Sequence, residues 1–535
     1  MHGRRRRLPI STPLVLLIAG IASAPIACAT AAELYDDQGI SLRWDTTVRY
    51  SAAFRVESRD AALVADPNAD DGDRNFKPGL VSNRLDVFSQ ADFDYRDFGL
   101  RLSGVGWYDS VYTERNDNDS PSTFNPISVP HDAFTRATRE LHAEHVELAD
   151  AYLHGSFQAG DMPVSFRLGR YTLLWGESLF FADNGIAAGQ SPTDGLKAPS
   201  YSQARAAEIL LPVTQASATL LPRSDIAVDF YYQFEWRKNR LPGSGSYFSD
   251  ADYLDAGGER YLLSGSGYLP STGKYLTRAP DLRPRSADQF GAALQFNEAD
   301  FNYGFYALRF DAKNPEIYLR PDGSLGPGNV GTYQLVYPNG IELYGASFSS
   351  NIADNNVAGE ISFRRNMPLV SNPVTIPLNV IADAGDHARY AVGDTLHAQV
   401  SSVSTFSAGT FWDGADLTTE LAASDVLAFT KNKSTFAQGR TQGALSFEAY
   451  FEPEYFEVLP NLDISVPIGV GFGLLGNSPT SAGGYGGAGD IELGIEAKFR
   501  NVWEGRLSFT HFLGSPAKQP LADRDFISFS VERTF

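Results

Sequence analysis

The chain has 535 residues and carries 64 acidic against 44 basic side chains, so its formal net charge at pH 7 is −20. Such acidity argues against nucleic acid as a partner, because binding to phosphates requires a basic face. The only cysteine, Cys28, lies near the N-terminus. A mature chain without its N-terminal segment would contain no cysteine, which argues against thiolate metal sites and thiol catalysis.

The first residues are arranged like a secretory signal peptide. Four arginines, Arg4 to Arg7, precede a short apolar run from Pro13 to Ala22, and an Ala-x-Ala site follows at residues 29–31. The run is too short to cross a bilayer, which takes about 20 residues. We therefore expect residues 1–32 to be removed on export, and the loss of four arginines changes the net charge to −24.

Apolar and polar residues alternate along much of the remaining chain. The pattern runs from Leu42 to Val56 and returns from Ile226 to Trp236 and from Ile491 to Phe499. A period of two predicts β-strands. Segments of about ten alternating residues are typical of outer-membrane barrels, whereas a soluble β-sandwich, the alternative, has shorter strands.

Short and long connections also alternate. The short turns are predicted at residues 96–98, 158–163, 222–225, 298–300, 353–355 and 500–504. The long connections are predicted at about 57–81, 113–145, 176–212, 239–287, 312–340 and 367–396. We predict one all-β domain over residues 33–535, a transmembrane antiparallel up-and-down β-barrel of about 18 strands, with 16 as the alternative. The strand count is weakest around 409–428, where the alternation fades.

A barrel of this width leaves a channel or a lumen that its own loops plug. We expect the long connections 113–145, 176–212 and 239–287 to fold inward, because their apolar side chains would otherwise be an aggregation liability. The chain ends in an alternating strand closed by Phe535, the signal that the outer-membrane barrel-assembly machinery recognises. Outer-membrane lipid and lipopolysaccharide are the other expected partners.

Three stretches, Asp70 to Tyr112, Arg167 to Pro192 and Tyr231 to Ser249, resemble a family of large proteobacterial outer-membrane proteins catalogued as domain of unknown function 1302. The resemblance covers nearly the whole mature chain and is strongest up to about Arg365. The family has no agreed biochemical activity. Its members are often encoded near inner-membrane exporters of the resistance-nodulation-division class, which implies envelope traffic of hydrophobic molecules and an export system as a partner.

The stretch that starts at Arg167 begins as a strand and then contains Trp-Gly-Glu-Ser, so it predicts a loop that leaves the barrel wall. Strict alternation directs Arg170 towards lipid, and a bulge at Gly169 is predicted to turn it inward. Gly176 permits a sharp bend. The residues predicted to hold this loop inside the lumen are Arg167, Arg170, Trp175, Glu177, Asp183 and Asn184, with Glu177 pairing to Arg167, Arg170 or another lumen arginine.

The apolar loop residues Leu179, Phe180, Phe181, Tyr247 and Phe248 are predicted to line the path of a substrate. Charges of mixed sign are predicted to form ladders on the inner wall, at Arg43, Arg49, Asp86, Asp92, Asp94, Arg101 and Asp109. Together these features favour an outer-membrane channel for hydrophobic or amphipathic compounds. A general porin for small polar solutes is the alternative, and a structural or adhesive barrel or a lipid hydrolase is less favoured, because no histidine lies beside a serine in a hydrolase arrangement.

An acidic stretch from Asp66 to Asp73 resembles a calcium-binding loop, because oxygen ligands recur at short intervals. The candidate ligands are Asp66, Asn68, Asp70 and Asp73. Lys77 stands where the closing glutamate of an EF-hand would be, so a solvated acidic loop is favoured over a specific metal site. No other cofactor and no enzymatic activity are expected.

Overall fold

The computed structural model describes residues 32–196, 209–263, 273–285, 287–322, 328–353 and 355–535. The predicted signal peptide, apart from Ala32, lies outside the described residues. Within the described part of the chain, no helix has the length and the apolar character needed to cross a membrane.

Antiparallel strands close into one barrel of 18 wall strands, which confirms the predicted fold class and strand number. The wall consists of β2 (Ile40–Arg55), β3 (Gly79–Tyr95), β4 (Phe98–Asp109), β5 (Glu144–Ala159), β6 (Met162–Tyr171), β7 (Val213–Arg223), β8 (Ile226–Gln233), β11 (Gln289–Glu298), β12 (Phe301–Phe310), β15 (Ile341–Ile352), β16 (Asn355–Pro368), β18 (Val392–Phe406), β19 (Gly414–Lys431), β20 (Gly443–Leu459), β21 (Leu462–Ser465), β22 (Ile468–Leu475), β23 (Gly489–Phe499), β24 (Trp503–Leu513) and β25 (Phe526–Thr534). β21 and β22 are two halves of one wall strand on either side of Pro467, which has no N–H to give to the ladder.

The last strand closes the barrel on the first. β25 pairs with the second half of β2, from Thr47 to Arg55. A short N-terminal strand, β1 (Ala32–Asp37), forms a hairpin with the first half of β2. Residues 409–428, where alternation fades in the sequence, belong mostly to β19, whose alanines weaken the apolar–polar contrast.

The two ends of the barrel differ. One end has short turns, including those at 96–97, 160–161, 224–225 and 299–300, as the sequence predicts. The other end has long loops, of which four matter below: loop 56–78, loop 110–143, loop 172–212 and loop 234–288.

Alternation separates the two faces of the wall. Large apolar side chains such as Trp44, Phe305 and Leu493 are exposed on the outside. The inner face carries the predicted charge ladders, with ion pairs of 2.5 Å for Arg101–Asp92 and for Arg49–Glu532, and a longer pair between Arg43 and Asp94.

The external loops form layers of their own above the barrel. A five-stranded sheet joins β9 (Arg260–Leu262), β10 (Tyr275–Arg278), β13 (Glu316–Pro321), β14 (Asn329–Val336) and β17 (Val374–Thr375). Two helices lie in the first two loops, α1 (Asp71–Arg74) and α2 (Arg136–His142), and short helical turns cover Leu63–Ala65, Ser110–Thr113, Ile186–Gly189 and Lys433–Thr435. An aromatic cluster that joins several loops contains Phe76, Tyr112, Phe134, Tyr247, Phe512 and Phe526.

Candidate functional site

The first part of loop 172–212, residues 172–196, crosses the lumen and is named here the lumen loop. It leaves the wall after Tyr171 at the end of β6 and reaches the inner faces of β16, β18 and β19. Gly176 has φ +88°, a left-handed conformation that favours glycine and makes the predicted bend.

Two carboxylates of the opposite wall bind the backbone of the lumen loop. Glu360 on β16 accepts hydrogen bonds from the N–H groups of Glu177 and Ile186, both at 2.7 Å. Glu420 on β19 accepts three, from residues 179, 180 and 181, at 3.1, 2.5 and 3.0 Å. A hydrogen bond to a charged acceptor contributes about 1.5–3 kcal/mol, so these five contacts fix the loop across the lumen.

A cation and a neutral pair complete the polar attachment. The Arg364 guanidinium donates to the backbone carbonyls of Asp183, Asn184 and Gly185, at 3.0, 2.6 and 2.9 Å. The Asn184 side-chain oxygen lies 2.9 Å from His397 Nδ1 on β18. Arg364 is buried, and its positive charge faces the negative ends of three carbonyl dipoles. The turn at 183–185 is therefore held by hydrogen bonds and by electrostatic attraction.

The other side of the lumen loop is attached by apolar contacts. Trp175 and Ile186 are buried in a cluster with side chains of β8, β11, β12 and β15, among them Tyr231, Tyr306 and Leu343. The rings of Trp175 and Tyr231 meet edge to face with centroids 5.0 Å apart. Such aromatic pairs add about 0.5–1.5 kcal/mol beyond the area they bury.

The six residues predicted to hold this loop divide into two groups. Trp175, Glu177, Asp183 and Asn184 all lie in the lumen loop and take part in its attachment through a side chain or the backbone. Glu177 does not pair with an arginine as expected. Its backbone N–H binds Glu360, and its carboxyl group meets Ser349 on β15.

Arg167 and Arg170 do not hold the loop. Arg167 lies beside the ring of Tyr171, 5.8 Å from its centroid. Arg170 pairs with Glu235 at 3.0 Å, just beyond the end of β8, and donates to the Leu148 carbonyl. Both are therefore features of the barrel wall.

The predicted bulge at Gly169 is wrong. The ladders of β6 with β5 and with β7 pass through Gly169 and Arg170 without a shift of register. Gly169 has φ +137° instead, and the irregularity of the neighbouring pair lies between Leu102 and Gly104, where β4 pairs with β5. Arg170 instead pairs with Glu235 at the strand ends, and the ladder contains no bulge there.

The predicted substrate path is only partly supported. Leu179 and Phe181 are half-buried in the lumen loop, but Phe180 is buried. Tyr247 is 1% exposed, donates its O–H to the Arg524 carbonyl and packs on Phe76 and Phe248, so it is a core residue of the external loops. It also lines a cavity together with Phe248, so its assignment to the path stays a prediction. Phe248 is half-buried and lines a cavity.

That cavity, of about 280 Å³, lies between the external loops and the wall formed by β2–β5, β24 and β25. The loops contribute apolar side chains, Leu210, Leu211, Pro212 and Phe248. The wall contributes charges, Arg49, Arg84, Asp86, Glu147 and Arg506. A second cavity of about 420 Å³, lined by polar wall residues such as Arg101 and Arg167, extends from Trp175 towards the short-turn end.

The charges that line the first cavity are paired. Arg84 binds Asp86 at 2.6 Å, and Arg506 binds Glu492 at 2.8 Å. Arg240, from loop 234–288, pairs with Glu147 and with Asp194 of the lumen loop. The lining therefore combines apolar loop surface with charges that neutralise one another.

The four predicted calcium ligands do not come together. Asp66 is exposed, and its carboxylate caps the Asn68 backbone N–H. The Asn68 side-chain oxygen accepts from Asn125 and from the Leu262 N–H. Asp73 pairs with Arg55 at 2.7 Å. Only Asp70 remains of the predicted set, and it lies next to two carboxylates that the sequence pattern did not select, Asp71 and Asp252.

Burial strongly shifts the pKa of these external carboxyl groups. It raises the pKa of Asp70 to about 6, although Arg74 opposes the shift. It raises the pKa of Asp252 to about 8, with the charge of Asp70 adding to the effect. The same cause raises the pKa of Asp71, on which Asp252 and Asp70 also act. Burying these three charges is costly without further compensation.

The wall residues that hold the lumen loop, Glu360, Arg364, His397 and Glu420, were not among the predicted site residues. In the sequence each is a polar residue at an inward position of a strand, like many others. One feature of the sequence could have identified them: these inward residues are large or charged and lie on three consecutive wall strands. Which loop they meet depends on the closure of the barrel.

The fold and the site define the class of the protein, a closed 18-stranded antiparallel β-barrel whose lumen is crossed by one of its own loops. The chain belongs to the family described as "Protein of unknown function (DUF1302)", whose model matches residues 12–535. No curated protein matches the chain.

Comparison with solved structures finds distant similarity over most of the chain. OccAB1 of Acinetobacter baumannii is 11% identical, with a TM-score of 0.44 and coverage of 94% of this chain and 97% of that one. OpdK of Pseudomonas aeruginosa, solved with vanillate, is 10% identical, with a TM-score of 0.40 and coverage of 92% and 98%.

Proposed function

We propose that the protein is an outer-membrane channel for hydrophobic or amphipathic compounds, and that the lumen loop constricts it. The observation that carries the proposal is the attachment of five backbone N–H groups of the lumen loop to Glu360 and Glu420 on the opposite wall. A loop fixed on both sides of a lumen narrows it permanently, whereas a general porin keeps an aqueous opening.

The outer surface supports the proposed location. Exposed apolar side chains cover the strands, and aromatic side chains gather near the short-turn end, including Tyr95, Phe98, Phe301, Phe499, Trp503 and Phe535. Aromatic girdles of this kind mark the membrane–water interface of outer-membrane barrels. Arg533 interrupts the apolar face but stacks on the rings of Trp503 and Phe535.

On this proposal, the signal peptide directs export of the chain. Lipid and lipopolysaccharide then surround the barrel. The strand that ends in Phe535 serves the assembly machinery, and an envelope export system is a proposed partner.

The lining of the cavity beside β2–β5 supports an amphipathic solute over a small ion. Its apolar part comes from Leu210, Leu211 and Phe248, and its charged part consists of paired groups. Paired charges attract no single type of ion strongly, but they offer hydrogen bonds to a polar head group. An apolar chain would meet the loop surface. We propose this cavity as the path past the lumen loop.

Conductance in a planar lipid bilayer tests the constriction. The wild-type protein is expected to show little steady conductance. The double variant Glu360→Ala/Glu420→Ala removes both carboxylates and is expected to conduct several times more, because the loop loses five charged hydrogen bonds. Glu496→Ala is the matched control, since Glu496 is a wall carboxylate on β23 that pairs with Arg506 and, among the described residues, makes no contact with the lumen loop.

The same preparations test the substrate class. Liposomes that contain the wild-type protein should exchange a fluorescent amphiphile but should not swell in a small neutral sugar. A large, steady wild-type conductance, unchanged in the double variant and accompanied by sugar-driven swelling, would support the general porin and overturn the proposal.

A further inference from the structure

We propose that Asp70, Asp71 and Asp252 bind a divalent cation, with Ca²⁺ as the favoured ion, and that the cation joins loop 56–78 to loop 234–288. The site lies in the external loops and is independent of what passes through the barrel. It differs from the ligand set that the sequence suggests, because Asp252 comes from a loop about 180 residues away in the chain.

The geometry fits a shared ion. All three side chains are fully buried, and one carboxylate oxygen from each lies within 4.8 Å of the others. Calcium binds oxygen at about 2.3–2.6 Å, so two of its ligands are at most about 5 Å apart. Carboxylate oxygens are the hard ligands that this cation prefers.

Several buried oxygen atoms at this place lack a hydrogen-bond partner among the described residues. They are Oδ1 of Asp70, Oδ1 of Asp252 and Oδ1 of Asn125. The second oxygen of Asp252 accepts from the Asp71 N–H at 3.0 Å, so the Asp252 side chain belongs to the cluster. The backbone N–H of Asn125 donates to the Asp71 carboxylate at 2.9 Å, which brings the Asn125 backbone beside the cluster. A buried acceptor without a donor is costly, and a cation is a partner that removes the cost.

The charges of the surroundings do not balance. Five buried aspartates lie in this region, Asp70, Asp71, Asp73, Asp252 and Asp523. Three guanidinium groups serve them, since Arg74 pairs with Asp70, Arg55 with Asp73 and Asp523, and Arg524 lies 4.0 Å from Asp73. Within this set of described residues, five negative charges face three positive ones when all five aspartates are ionised, and one divalent cation would balance the set.

The two loops already meet at this point. The Asp252 N–H donates to the Asn68 carbonyl at 2.8 Å, and the Leu262 N–H donates to the Asn68 side chain at 2.8 Å. The backbone therefore places the carboxylates before an ion arrives. A cation bound there would tighten an existing contact between the loops.

Calcium titration of the purified full-length protein in detergent tests the site, after removal of metals with a chelator and in the absence of lipopolysaccharide, which binds calcium itself. Isothermal titration calorimetry is expected to show one saturable Ca²⁺ site. Ca²⁺ should also slow protease cleavage of loop 56–78 and loop 234–288, and the chelator should reverse this effect. Asp252→Asn is expected to weaken binding by about tenfold or more, because the charge of the ligand set decides affinity.

Asp386→Asn is the matched control, since Asp386 is an exposed aspartate in another external loop. It should bind Ca²⁺ like the wild type. Asp71→Asn provides a second test if Asp252→Asn does not fold. Absence of saturable binding to the wild type, or unchanged affinity in a folded Asp252→Asn or Asp71→Asn protein, would overturn the proposal.

Discussion

Gly176 shows how one residue allows the lumen loop to take its course. Its φ of +88° turns the chain away from β6, and the lack of a side chain leaves room for the Glu360 carboxylate. A Cβ atom at this position would overlap Glu360 Oε2 and come within 3.0 Å of the Ile186 Cβ. Glycine is therefore required both by the backbone conformation and by the close approach of the opposite wall.

Gly176→Ala is expected to displace the lumen loop from Glu360 and to raise the bilayer conductance above that of the wild type. The matched control is Gly160→Ala, because Gly160 also has a positive φ, of +67°, but a Cβ there has nothing within 4 Å. The control variant should conduct like the wild type. Equal conductance of Gly176→Ala and wild type would contradict the assigned role of Gly176.

Among the elements, the strands and the short turns were predicted from local sequence pattern. Alternation gives the strands, and short polar turns such as that at 224–225 give their connections, because both depend on neighbours in the sequence. Strict alternation misplaces Arg170 because it ignores the partner that Glu235 supplies at the strand ends.

The two candidate sites were predicted less well than the strands, because each joins residues that are distant in the chain. Glu420 binds a loop 240 residues earlier, and Asp252 meets Asp71 from another loop. Only the closure of the barrel brings such residues together, and a hydrophobic pattern does not record it. Trp175 and Asn184 were found because the lumen loop departs visibly from the strand pattern.

Replacement of Tyr247 tests whether the external loops are held together as one unit. Its ring contacts Phe76 from loop 56–78 and Phe526 at the start of β25, so Tyr247→Ala should loosen several loops at once. Replacing a buried aromatic side chain by alanine costs about 3–5 kcal/mol. We expect faster trypsin cleavage in the external loops, while the barrel keeps its resistance to detergent at room temperature.

Phe411→Ala is the control for Tyr247→Ala, because Phe411 is 76% exposed in a turn at the opposite end of the barrel. It should leave the cleavage of the external loops unchanged. Cleavage of the Tyr247→Ala protein at the wild-type rate would show that Tyr247 does not support the external loops.

At the scale of the whole molecule, the barrel brings a loop that starts at β6 against β16, β18 and β19. Apolar contacts attach it near Trp175, and charged contacts attach it near Glu360, Glu420 and Arg364. The cavity beside β2–β5 lies away from these attachments. We therefore propose that the lumen loop spans the lumen in the membrane-embedded protein and leaves passage along one side.

Cross-linking between the lumen loop and the opposite wall tests whether the loop spans the lumen. The mature chain is expected to lack cysteine, so Asn184→Cys/His397→Cys introduces the only two thiols, at side chains whose polar atoms are 2.9 Å apart. The control is Asn184→Cys/Ser508→Cys, with the second thiol on β24, which the lumen loop does not contact in the described residues. In outer membranes, a short thiol cross-linker should join the first pair within one chain, as measured by mass spectrometry, and should not join the control pair. Separate modification of the two introduced thiols of the first pair, without a link between them, would show that the lumen loop does not reach the opposite wall.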